Sequence, residues 1–146
     1  MTAYLLDANV LIAMAWPSHI HHKTAREWFS AKGAKSWATC PMTQCAFVRI
    51  SSNPKIIADA VSPNEAHSML SVMTSHKGHV FWPDALNLAH DGFDSMLIAG
   101  HRQVTDAYLL LLASSKKGRL STFDRSVGHI FSGGMGVTAP VELLVS

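Results

Sequence analysis

The stretch Tyr4-Leu5-Leu6-Asp7-Ala8-Asn9-Val10-Leu11-Ile12-Ala13 decides how the rest of this chain is read. Its opening, residues 3–6, is apolar, too short for a helix and flanked by no helix signal, so it reads as a buried strand. Asp7 and Asn9 interrupt the run, and Val10, Leu11, Ala13 and Met14 resume it with helical spacing. Asp7 therefore closes a strand at its carboxyl end, where open α/β sheets place their ligands. The same residue is equally suited to cap the helix that follows.

Working outward, Trp16-Pro17-Ser18 breaks the first helix, and a second is expected over roughly 21–31 with Ala25, Trp28 and Phe29 inward. Residues 37–40 form a candidate second strand, and Pro41 suits the first turn of a third helix whose inner face holds Phe47 and Ile50. Ser62-Pro63-Asn64-Glu65 is a capping-box signature that starts a fourth helix, with Ala66, Met69, Leu70 and Met73 on its inner stripe. Residues 79–82 read as a third strand, and 85–100 as helical in parts despite Gly92. Residues 105–115 form the most apolar helix, followed by the strand Arg119-Leu120-Ser121-Thr122-Phe123, a turn at Gly133-Gly134 and a last short segment over 141–145. Strands alternating with helices imply an α/β fold, a mainly parallel sheet covered on both faces. One domain over residues 1–146 is expected for this length.

Composition narrows the function classes. The chain is 48% hydrophobic and 15% charged, with four Trp and six Phe, which argues against disorder. A net charge of +2, from 12 basic and 10 acidic residues, is too mild to announce a nucleic-acid binder by itself. Cys40 and Cys45 have neither the spacing nor the companions of a zinc site. No apolar run approaches a membrane span and no leader pattern opens the chain, so a cytoplasmic protein is expected.

The chemistry points to acids. Asp7 ends the first strand, Asp106 opens the apolar helix and Asp124 ends the strand after it. In a parallel sheet with right-handed crossovers such positions share one edge. Carboxylates gathered there repel one another unless a hard divalent cation joins them, and Mg²⁺ or Mn²⁺ takes such ligands. With phosphate as co-ligand, such an ion activates water and stabilises charge on phosphorus oxygens. Asn9 and Thr122 are placed to steady the acids by hydrogen bonds. The His19-Ile20-His21-His22 group reads as capping or solvent-facing rather than metal-binding. Among the scattered cations Arg49, Lys116, Lys117, Arg119 and Arg125, only Arg125 adjoins an acid of the trio.

Leu6-Asp7-Ala8-Asn9-Val10-Leu11, Thr105-Asp106-Ala107-Tyr108-Leu109 and Thr122-Phe123-Asp124-Arg125 resemble the acidic motifs of the PIN-domain ribonucleases. Their order and spacing are similar to those of the VapC-type toxins of bacterial toxin–antitoxin pairs, over nearly the whole chain. The resemblance implies an α/β/α sandwich, a Mg²⁺- or Mn²⁺-dependent endoribonuclease, a homodimer, and a cognate antitoxin that covers the active site. It makes Asp7, Asp106 and Asp124 metal ligands, with Asn9 and Thr122 in support. One departure stands out. The family's usual glutamate on the helix after the second strand is matched here by Gln44, which holds a water but cannot act as a general base.

Two rivals follow from the same residues. An aspartyl-phosphate phosphatase would use Asp7 as nucleophile but normally has a second acid where this chain has Asn9. A binding protein that kept the fold and lost catalysis would hold RNA or an antitoxin-like partner without cutting, with Gln44 as the first sign of decay.

Overall fold

The computed structural model describes residues 2–93, 96–131 and 139–145. The elements run β1 (Tyr4–Leu6), α1 (Ala8–Ala15), α2 (His22–Ala31), β2 (Trp37–Thr39), α3 (Pro41–Ser51), α4 (Pro63–Thr74), β3 (His79–Phe81), α5 (Val104–Ser115), β4 (Arg119–Thr122) and β5 (Val141–Leu143). The five strands form one sheet in the order β3-β2-β1-β4-β5, and every neighbouring pair is parallel. The expected sandwich is present.

Alternation along the strands builds its two cores. Leu5 and Ala38 point to one face, where they meet Leu109, Leu110 and Leu112 of α5. Leu6 and Trp37 point to the other, packed with Val10 and Leu11 of α1, Ala25 of α2, Phe47 of α3 and Leu70 of α4. Both α1 and α5 are apolar over most of their circumference, because each is pressed between the sheet and a second layer of side chains.

Local signals set several boundaries. Ser62 caps α4 by accepting the Glu65 backbone N–H at 3.1 Å, and its hydroxyl donates to Glu65 Oε1. At the end of α5 the chain turns through Lys117, at φ +55°, into Gly118, where a Cβ would stand 2.5 Å from the Ala3 carbonyl oxygen. Only glycine lets β4 start this close to β1.

Residues 85–100 depart from expectation: among the described residues they hold no α-helix and run as turns. Asn87 accepts the Ala89 N–H on its side chain at 2.9 Å, and Gly92 sits at φ +89°. Such side-chain and glycine turns compete with helix. The Gly133-Gly134 turn and Asp94 lie outside the described residues. Among the described residues no helix is long and apolar enough to cross a membrane.

The strand order has one consequence for chemistry. After β1 the chain moves to β2 and β3 on one side, then returns to lay β4 and β5 on the other. The exits of β1 and β4 lead to opposite faces, into α1 and into the 3₁₀ segment Arg125–His129, whose Val127 joins the α5 core. This is the topological switch point of the sheet, where a crevice opens.

Candidate active site

Asp7 and Asp124 flank that crevice, one on leaving each strand. Asp7 is 9% exposed and caps α1, its Oδ1 accepting the Val10 N–H at 2.8 Å. The capping and site readings of this residue are therefore compatible. Burial pushes its carboxyl up from 3.8 to about 6, against the hydrogen bonds from Thr122 and Val10, and Asp106 and Asp124 push it further in the same direction. Asp106 stands half-buried in the first turn of α5 and is raised by burial and by Asp124. Asp124 is exposed, and its Oδ1 accepts from Ser126 N at 2.9 Å and Ser126 Oγ at 2.7 Å. Sequence-distant acids are thus brought within electrostatic reach of one another.

Thr122 ties two of them together. Its buried hydroxyl donates to the Asp7 carboxylate and accepts the Asp124 backbone N–H at 3.1 Å. Asn9 is exposed in the first turn of α1, with Oδ1 3.2 Å from His19 Nε2. Arg125 is exposed directly after Asp124.

The balance of charge at the site is one-sided. Among the described residues the ion pairs join Lys23 to Glu27 and Lys32 and Arg119 to Glu142, so no cation neutralises the Asp7–Asp106–Asp124 group. Among the described residues no three His, Cys, Asp or Glu side chains stand close enough together to form a metal-holding group. An open set of carboxylates suits a hard cation that keeps several of its waters, as Mg²⁺ does.

Beside the acids lies a cavity of about 660 Å³. Asp7, Asn9, Thr105 and Asp106 line its polar side, with His19 and Ser18 next to them. The remainder is aliphatic, built from Ile12, Ile20, Ile50, Ile56, Ile57 and Leu109.

Gln44 is not among the residues that line this cavity. On α3 it lies about 120° around the helix from Ile50, the residue of α3 that lines the cavity. It faces the groove between α3 and α4 with Cys45, Val48 and Leu70. There its Nε2 donates to Thr39 Oγ1 at 3.0 Å, and Thr39 Oγ1 lies 2.7 Å from His79 Nε2. Gln44 links α3 to β2 and β3, and α3 itself carries no acid.

The histidine group has local work, as expected, and one place at the site. His19 Nδ1 accepts the His21 N–H at 3.0 Å, and His22 Nδ1 donates to the Ala13 carbonyl at 2.7 Å. The His21 ring stacks on Phe123 with centroids 4.6 Å apart. Trp16 and Trp37 are core residues, and Trp28 Nε1 donates to Glu142 Oε2. Sequence reasoning missed His19, Ile20 and Ile56 as cavity residues. The one signal available was an isoleucine isolated in the polar run 18–22.

Comparison with known proteins bears on the family and the fold. The model of the PIN domain matches residues 4–130. Ribonuclease VapC38 of Mycobacterium tuberculosis is 46% identical over 140 residues, covering 96% of each chain. Ribonuclease VapC39 of the same species is 44% identical over 136 residues, covering 92% of this chain and 97% of its own. Among solved structures, VapBC2 from Rickettsia felis, crystallised with a DNA fragment from its promoter, superposes with a TM-score of 0.57 at 12% identity. That match covers 88% of this chain and 93% of the other, and bears on the fold alone. With a parallel sheet, acids gathered at its switch point and relatives aligned end to end, the chain belongs to the PIN-domain family, in its VapC-type branch.

Proposed function

We propose that this chain is an endoribonuclease that hydrolyses RNA phosphodiesters with the help of a divalent cation, and that it is the toxin of a toxin–antitoxin pair. The observation that carries the reading is the gathering of Asp7, Asp106 and Asp124 beside an open cavity with no basic partner among the described residues. Relatives named ribonucleases, at 44–46% identity, support it.

Carboxylates that raise one another's proton affinity are relieved by a bound cation, which favours their charged forms. Asp7, Asp106 and Asp124 would hold Mg²⁺ or Mn²⁺, which when bound supplies charge stabilisation at the phosphoryl oxygens and lowers the pKa of a coordinated water. The Thr122 hydroxyl favours the charged form of Asp7 and keeps the Asp124 backbone in register with it. Arg125 reaches the RNA backbone from beside Asp124, a contact that adds affinity without reading sequence. The products carry a 5′-phosphate and a 3′-hydroxyl. A cognate antitoxin and a second copy of the chain complete the proposal.

The test is cleavage of total RNA by purified, antitoxin-free protein in Mg²⁺, Mn²⁺ or EDTA, with Asp7→Asn alongside. Discrete cuts that need the metal and vanish in the variant are expected. A folded protein that cuts nothing with either metal, but binds RNA in a salt-sensitive way, would replace this reading with the binding-only one.

A further inference from the structure

We propose that the aliphatic half of the cavity is a nucleobase subsite, in which Ile20 and Ile56 flank one unstacked base of an RNA that is single-stranded at the cut. The inference rests on the ribonuclease reading and assigns a base contact to that same site.

Ile20 and Ile56 are 88% and 61% exposed, although isoleucine is ordinarily a core residue. They come from separate connections, Ile20 from the turn between α1 and α2 and Ile56 from the one between α3 and α4, yet both line the cavity that holds Asp7 and Asp106. Neither joins the two cores. With Ile12, Ile50 and Ile57 they form a contiguous apolar wall, and such a patch gains from burial only when something covers it.

The occupant follows from the neighbouring chemistry. A phosphodiester lying on the acids brings the bases of its own two nucleotides to the same cavity. No Lys or Arg lines that cavity, so phosphate attraction does not account for the aliphatic wall, whereas the flat apolar face of a base does. A paired base inside a helix has no free face to offer, so the nucleotide must be unstacked. The polar groups next to the wall can read its edge. Because His19 Nδ1 accepts the His21 N–H, the ring proton resides on Nε2 and points to Asn9 Oδ1. This bond holds the Asn9 side chain at the cavity, with its amide N–H groups left to meet a base edge.

The test uses a synthetic single-stranded RNA oligonucleotide spanning one cut mapped in total RNA, alone and annealed to its complement. Ile20→Ser, Ile56→Ser and their combination are compared with Ile20→Leu in steady-state cleavage. We expect cleavage of the single strand only, and a KM raised roughly tenfold for each serine, the scale of a lost aliphatic contact in a binding pocket. Ile20→Leu should keep the wild-type KM. Thermal melts should show no destabilisation, since both side chains are largely exposed. Unchanged KM and cut position in the double variant, or equal cleavage of the duplex, would overturn the subsite and leave the ribonuclease reading standing. Variants that keep RNA kinetics but escape inhibition by an antitoxin would assign the wall to a protein partner and also overturn it. A wild-type protein that cuts no RNA would bring down both readings together.

Discussion

Asp7→Asn is expected to abolish cleavage and, at the same time, to make the metal-free protein more stable at neutral pH. The reason is the buried position of Asp7. Raising its carboxyl from 3.8 to about 6 means that holding the charge in the fold costs about 3 kcal/mol relative to the unfolded chain. Asparagine is uncharged, caps helices as well as aspartate does, and keeps an oxygen for the Val10 N–H that Asp7 now accepts at 2.8 Å. The gain at pH 7.5 in EDTA is therefore up to about 3 kcal/mol, or roughly 6–10 °C in Tm for a chain of this size.

The sign of the pH dependence is set by the same shift. Below pH 3.8 Asp7 is neutral in both folded and unfolded chains, and it contributes no difference between variant and wild type. Between 3.8 and about 6 the folded state binds the proton more readily, so wild-type stability falls with rising pH. The gap between the two melting temperatures should open across that window and stay constant above it. Adding Mg²⁺ should narrow the gap, because the cation binds the folded wild type and adds stability by mass action. Thermal melts followed by circular dichroism at pH 4.5, 5.5 and 7.5, with EDTA or Mg²⁺, measure all of this. A variant that melts below wild type at pH 7.5 in EDTA, or a gap that does not change with pH, would refute the reasoning.

Three further outcomes are expected. Thr122→Val removes a hydroxyl from a side chain that is 1% exposed, stranding the Asp124 N–H and one hydrogen bond of Asp7. It should cost about 1–3 kcal/mol in urea melts and lower cleavage about 10- to 100-fold, as losing a partner of a metal ligand does. Gln44→Ala should cost about 1 kcal/mol through its bond to Thr39 and leave the cleavage rate at the wild-type level; a large loss of rate would return Gln44 to the catalytic group. Lys117→Gly relieves a left-handed backbone at φ +55° and should raise the unfolding free energy by about 1 kcal/mol, again read from urea melts.

Much of the site's scaffolding is legible in the sequence because it is local. Residues 4–6 are a buried strand by their apolar run, Asp7 caps α1 by its place before a helical pattern, and Ser62 starts α4 through a box closed within four residues. The apolar circumference of α5 marks it as a helix held between layers. Each of these is decided by neighbours along the chain, through periodicity and capping. The acids could be named for the same reason, since each stands at the end of a strand or the start of a helix.

What they do together was decided only by tertiary structure. The strand order places β4 beside β1, so that Thr122 can bridge Asp7 and Asp124 and Asp106 can act on Asp7. The rise in the Asp7 carboxyl to about 6 comes first from burial, which depends on everything packed around it. Gln44 shows the limit in the other direction. The family resemblance matched it to a site glutamate, and only tertiary packing sets its side chain against Thr39 and the α4 groove. The wall formed by Ile20 and Ile56 was equally hidden, because two residues from separate connections become one surface only when α1 and α3 pack side by side. Local order is written in neighbouring residues, whereas the meeting of distant side chains is fixed by the packing that brings their elements together.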